Sequence, residues 1–161
     1  MTRFPDDQML TSVAVALGSN LGDRRAHLDY AVARLSSLFQ DLHASSYFVT
    51  APVGIVGEPS EFLNAAAVGR TELSPRAVLD ALLSIEEERG RERPYPSAPR
   101  TLDLDLVLVG DRIISEPGLI VPHPRFRERR FVLDPLAEIA AGWRDPVTGK
   151  TVAELRSELR T

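Results

Sequence analysis

The stretch Pro99-Arg100-Thr101-Leu102-Asp103-Leu104-Asp105-Leu106-Val107-Leu108-Val109-Gly110 constrains the fold of this chain more than any other. Leu102, Leu104, Leu106 and Leu108 alternate with Thr101, Asp103, Asp105 and Val107. A period of two predicts a strand with one buried leucine face. The opposite face begins with two carboxylates, about 7 Å apart at a strand rise of 3.3–3.4 Å per residue. Strands disfavour aspartate and like charges on one face repel, so folding alone does not ask for the pair. A cation does: Mg²⁺ is commonly held by one or two carboxylates, with substrate phosphates and water completing its octahedron. The alternative is a solvated strand face that uses acids for solubility.

The basic residues favour the cation. Of 19, only Lys150 is lysine and the rest are arginine. Arg89, Arg91, Arg93 and Arg100 precede the carboxylates, and Arg125, Arg127, Arg129 and Arg130 follow them. The planar guanidinium matches phosphate oxygens two at a time, so arginines on both sides of paired acids point to a polyphosphate–metal site. The net charge of −4 argues against a general nucleic-acid binder. With no cysteine there is no disulfide framework and no thiolate metal site. No apolar run approaches a membrane span, and Met1 to Asp7 lacks a signal-peptide core. The 161 residues are therefore expected to form a single domain, cytoplasmic and monomeric.

Along the chain, Thr11 to Leu17 reads as a strand that ends in the turn Gly18-Ser19-Asn20-Leu21-Gly22. That turn matches neither the P-loop nor the dinucleotide fingerprint. Asp23 caps a helix with an inner stripe of Leu28, Ala31, Val32, Leu35, Leu38 and Phe39, and His27 and His43 read as structural or exposed. Ser45 to Thr50 is a second strand. The loop Ala51 to Ser60 either folds over a ligand or covers a sheet edge. In the third strand, Phe62 to Gly69, Asn64 interrupts an apolar run and needs partners from a flat heterocycle or from the backbone.

Ser74-Pro75 starts a second helix, which Gly90 ends, and Glu86-Glu87-Glu88 reads mostly as a solvated face. The proline-rich segment Arg91 to Pro99 is expected to be a mobile loop. Gly110-Asp111 is expected to turn the carboxylate strand into a hairpin with Arg112-Ile113-Ile114. His123, set between prolines, could be a turn residue, a general acid or a phosphate contact. Phe131 to Leu133 reads as core, Pro135 as the start of a short helix, and Val152 to Leu159 as a helix capped by Thr151.

The order strand, helix, strand, strand, helix, strand predicts an α/β (α+β) ferredoxin-like sandwich, with a central antiparallel sheet and helices on one face. That architecture serves enzymes, RNA-binding modules and nucleotide sensors alike. An RNA module does not explain the paired acids, and a sensor differs from an enzyme only in forming no product.

Ala16-Leu17-Gly18-Ser19-Asn20-Leu21-Gly22, Phe62-Leu63-Asn64-Ala65-Ala66, the run from Gly90 to Asp105, and Val121-Pro122-His123 with Arg129 and Phe131 resemble the 6-hydroxymethyl-7,8-dihydropterin pyrophosphokinases of folate synthesis. The likeness extends from about Val13 to Ile139. It implies transfer of pyrophosphate from ATP, as co-substrate, to the pterin hydroxymethyl group with two Mg²⁺ ions. By this resemblance Asp103 and Asp105 hold both metals, and Arg91 and Arg100 act on the phosphates. Glu86, Arg93, His123 and Arg129 contact the nucleotide. The pterin stacks between Phe62 and Phe131, with Thr50, Val53 and Asn64 at its edge. Members of that family often carry Trp where this chain has Ser97-Ala98, and Tyr where it has Pro124.

Overall fold

β1 (Thr11–Ser19) is buried over its last seven residues, as a strand covered on both faces must be. In the computed structural model, which describes residues 10–50, 61–90 and 101–159, β1 is flanked antiparallel by β4 (Phe62–Thr71) and β5 (Asp103–Val109). β2 (Gln40–Ala44) and β3 (Phe48–Thr50) follow one another along the far side of β4. The order β2-β4-β1-β5 places β5 at an edge. Helices α1 (Arg24–Leu38) and α2 (Pro75–Glu88) make the two crossovers, which completes the expected ferredoxin-like arrangement.

Both crossovers begin at the expected caps. The Asp23 carboxylate accepts the Ala26 N–H at 3.1 Å, and the Ser74 hydroxyl accepts that of Ala77 at 3.2 Å. At the end of α2, Gly90 adopts φ 79° and its N–H returns to the Glu87 carbonyl at 3.0 Å. One sheet face, carrying Val13, Val15, Leu17, Leu104 and Leu106, packs on Leu28, Leu35, Leu82 and Ile85 of these helices. Of the two histidines read as structural or exposed, His27 accepts the Arg89 Nε–H at 3.0 Å and His43 is exposed on β2.

The second face departs from the expectation of helices on one side only. A 3₁₀ turn (Phe126–Glu128), α3 (Arg130–Ala140) and α4 (Val152–Glu158) cover half of it. Phe126, Leu133, Leu136 and Val152 pack there on Ala14, Ala16, Ala66 and Leu108. Leu108 belongs to this face and not to the leucine face because the β1–β5 register shifts between Ala14 and Val15. Ala14 pairs with Leu108 and Val15 with Leu106, so Val107 is the extra residue of a β-bulge and side-chain parity reverses beyond it.

Three further segments differ from the sequence reading. The strand expected over Ser45 to Thr50 is β3 alone, preceded by the unexpected β2, and Ser45 between them stays tied to β4 by its backbone and its side chain. β6 (Ile114–Glu116) pairs with β7 (Leu119–Val121) and not with β5, because Pro117-Gly118, with Gly118 at φ 77°, makes the tighter turn. α3 begins five residues before Pro135, where the Arg129 carbonyl accepts the N–H groups of both Val132 and Leu133 at 3.0 Å. Pro135 then forgoes one helical bond, and the burial of Val132, Leu133 and Leu136 holds the helix regardless. The tail helix is as expected, with a capping box between Thr151 and Glu154. No helix among the described residues is long and apolar enough to cross a membrane.

Asp145, fully buried after α3, ties this second layer together. It accepts from Arg127 Nε at 2.5 Å and Nη2 at 2.8 Å, from the Val147 N–H at 3.0 Å and from the Thr148 hydroxyl at 2.7 Å. Burial raises its pKa, but the bonds from Arg127, Thr148 and Val147 outweigh that and bring it down to about 2. A carboxyl with a depressed folded pKa stabilises above its unfolded value, and that stability is lost as pH falls through the folded one. Asp145→Asn should therefore cost roughly 2–3 kcal/mol near neutral pH in urea unfolding, with the gap to the parent closing toward pH ~2. A gap independent of pH would contradict the charge assignment.

Candidate active site

Residues directly opposite in an antiparallel ladder share a face. Asn64, Gly18 and Asp103 are opposite one another across β4, β1 and β5. Ala66, Ala16 and Asp105 form the next row, and Thr50 is opposite Phe62. Thr50, Phe62, Asn64, Asp103 and Asp105 therefore share the second sheet face with the alanines on which α3 packs.

Gly18 keeps the middle of this surface low. A Cβ there would stand 3.1 Å from Asn64 Oδ1, so Asn64 would have to give by a few tenths of an ångström. Asn64 itself is buried, and its Nδ2 donates to Thr50 Oγ1 at 2.6 Å. Two strand spacings, about 10 Å, separate Asn64 from Asp103, with no side chain between them in that row. Phe131 stands at the start of α3 with 41% of its surface exposed, and the Arg129 guanidinium lies over its ring at 5.5 Å. An exposed phenylalanine ring at the start of a helix that packs on this face could stack on a flat ligand.

The bulge in β5 positions His123. The carbonyl of the extra residue, Val107, accepts the His123 N–H at 3.0 Å, just after the cis Val121–Pro122 bond. His123 Nδ1 accepts the Arg125 N–H at 3.2 Å, so the neutral ring carries its proton on Nε2. Burial lowers the His123 pKa, Arg129 and Arg125 lower it further, and Asp103 acts the other way. The ring is therefore a neutral donor at neutral pH, set among the first carboxylate and two arginines.

A cavity of about 260 Å³ opens along the edge of β5. Leu79, Leu104, Leu106 and Leu119 line it, with Asp105 and His123 also in its wall. Asp105 thus borders this groove while sharing the open sheet face. Beneath the same segment lies Glu86, 2% exposed, whose Oε2 accepts the Leu104 N–H at 2.7 Å. Glu86 is the exception in the run read as solvated: Glu87 is exposed, and Glu88 joins α2 to Tyr30 and Arg34 of α1. Its place in the stripe Val78, Leu82, Ile85, Glu86 was the signal for its burial.

The donor set fits Mg²⁺. Two carboxylates share a face beside a groove, and among the described residues no group of three or more His, Cys, Asp or Glu side chains could hold a metal unaided. Such a site needs oxygens from a bound phosphate, as Mg²⁺ sites commonly do. Of the residues singled out in the sequence, Val53, Arg91, Arg93 and Arg100 lie outside the described residues, as does the proline-rich loop. Thr50, Phe62, Asn64, Asp103 and Asp105 share one sheet face, Asp103 and Arg129 act on the His123 charge, and Arg129 stacks on Phe131. Sequence reasoning missed two contributors, the flatness of Gly18 and the Val107 bulge. Gly18→Ala should weaken binding of a flat heterocycle over this row roughly tenfold, or about 1.4 kcal/mol. A fluorescence titration reads it, and unchanged affinity would contradict a ligand lying over this row.

The family model for 7,8-dihydro-6-hydroxymethylpterin-pyrophosphokinase (HPPK) matches residues 14–141. The 2-amino-4-hydroxy-6-hydroxymethyldihydropteridine pyrophosphokinase of Pseudomonas aeruginosa is 40% identical over 149 residues, covering 91% of each chain. That of Synechocystis is 39% identical over 156 residues, 96% of this chain and 78% of the relative. That of Bacillus subtilis is 46% identical over 127 residues, 78% of this chain and 75% of the relative. A crystal structure of Plasmodium falciparum HPPK-DHPS superposes on 92% of this chain with a TM-score of 0.75 at 14% identity. This chain spans 45% of that longer protein, and the likeness at that identity speaks for the fold alone. By the family match and the extent of these identities, this chain belongs to the 7,8-dihydro-6-hydroxymethylpterin-pyrophosphokinase family.

Proposed function

We propose that this chain transfers the β,γ-pyrophosphoryl unit of ATP to the hydroxymethyl group of 6-hydroxymethyl-7,8-dihydropterin, releasing AMP, in folate biosynthesis. The observation that carries the reading is the place of Asp105, on the open sheet face and in the wall of the edge groove at once. A nucleotide in the groove and a pterin on the face would meet at the carboxylates.

The pterin stacks between Phe62 and Phe131, and Asn64, oriented by Thr50, addresses its polar edge together with Val53. The adenosine lies along Leu79 and Leu106, so the phosphates run toward Asp103 and Asp105. Two Mg²⁺ ions, when held by Asp103 and Asp105, neutralise phosphate charge and lower the pKa of the attacking hydroxyl. His123 Nε2–H and Arg129 donate to phosphate oxygens, and Arg91, Arg93 and Arg100 complete the cationic lining. The protein's part is positioning and charge neutralisation, which supply most of the catalysis in phosphoryl transfer.

The hydroxyl oxygen bonds to the β-phosphorus as the bond from that phosphorus to the α,β-bridging oxygen breaks. AMP leaves with the bridging oxygen, and the hydroxyl proton passes to water. Nucleotide chromatography after reaction with ATP, Mg²⁺ and the reduced pterin should show AMP equal to pterin consumed. ADP would contradict attack at the β-phosphorus. Nucleotide binding with no product would favour a sensing module.

A further inference from the structure

β5 carries both carboxylates yet has a neighbouring strand on one side only. On that side Gly18 pairs with Asp103, Leu17 with Leu104 and Ala16 with Asp105. The Leu104 N–H points away from β1, because its acceptor is Glu86 Oε2 at 2.7 Å. By the alternation of an antiparallel ladder, the backbone groups of Asp103 and Asp105 then turn toward β1. The metal-binding segment is thus gripped from both sides, by β1 through the two aspartates and by Glu86 through the leucine between them.

Glu86 is 2% exposed, and removing a carboxylate from water is costly. It lies in the last turn of α2, where the helix dipole disfavours negative charge, and Glu87 and Glu88 follow it. The Leu104 N–H is buried and needs an acceptor, and a charged one makes the stronger bond. What Glu86 adds is a short, strong acceptor at the one amide between the two carboxylates.

We infer that Glu86 is a positioning residue for the transfer reaction: through the Leu104 amide it takes the place of a missing neighbour strand and sets the height of Asp103 relative to Asp105. It acts through the β5 backbone. The inference rests on the metal role proposed for the two aspartates. Partners behind a metal-binding carboxylate typically alter metal affinity or activity 10–100-fold when lost.

The experiment compares Glu86→Gln, which keeps an acceptor for the Leu104 N–H, with Glu86→Ala, which removes it. Glu86→Ala should raise the half-saturating Mg²⁺ concentration about tenfold and lower kcat by 10–100-fold. Glu86→Gln should stay within a few-fold of the parent in both. The Mg²⁺ requirement is also read without turnover, as calorimetric binding of α,β-methylene ATP over a Mg²⁺ series. Hydrogen exchange in the parent should find the Leu104 amide as protected as those of Asp103 and Asp105. Glu86→Gln losing as much as Glu86→Ala, an unchanged Mg²⁺ requirement in Glu86→Ala, or a freely exchanging Leu104 amide would each overturn the proposal. A parent that forms no AMP would overturn the activity instead, and the binding and exchange results would still decide the role of Glu86.

Discussion

The ladder between β1 and β5 fixes where each charged group of the site stands. It sets Asp103 beside Gly18 and Asp105 beside Ala16, so on the β1 side each carboxylate stands next to a small residue. One residue pair later the register slips at Val107, which frees that carbonyl for His123. A continuous ladder would keep Leu108 on the leucine face and leave the Val107 carbonyl differently placed. The bulge therefore serves two layers, turning Leu108 under α3 and bringing the loop with His123 against the carboxylates.

Partial cover of the second face makes the site. Phe126, Leu133 and Leu136 bury one half of it, where the sheet offers Ala14, Ala16, Ala66 and Val68 and a helix can approach closely. The other half carries Asn64, Asp103 and Asp105, and at the start of α3 the Arg129 guanidinium lies over the Phe131 ring. Asp145 and Arg127 matter here at a distance, since their pairing holds the 3₁₀ turn from which Arg129 and α3 begin. Breaking a buried charge pair of this kind is costly, so the pair holds that turn firmly in place.

Much of this was legible in the residues and some was not. The period of two in β5 and the helical stripes with their caps placed the layers, because burial of one face leaves a local mark. The two aspartates were legible as a site because they oppose local propensity. The bulge was not: Val107, Leu108 and Val109 are all apolar, and with both faces buried a change of parity leaves no trace. β2 was missed because it is exposed and polar, and β4 holds it through the ladder and not through its own pattern. The start of α3 was misplaced because a proline was weighed above the buried stripe that overrides it. Glu86 was the informative case, since its neighbours made it look solvated while its position in the apolar stripe of α2 turned it inward.

The central claim is that Asp103 and Asp105, held by this ladder, organise a metal pair between two bound substrates. Electron paramagnetic resonance of Mn²⁺ in place of Mg²⁺, with α,β-methylene ATP and the reduced pterin present, tests it most directly. The account predicts two Mn²⁺ ions per chain with the coupled spectrum of ions about 3.5–4 Å apart. A single uncoupled ion per chain, or two ions without coupling, would contradict it.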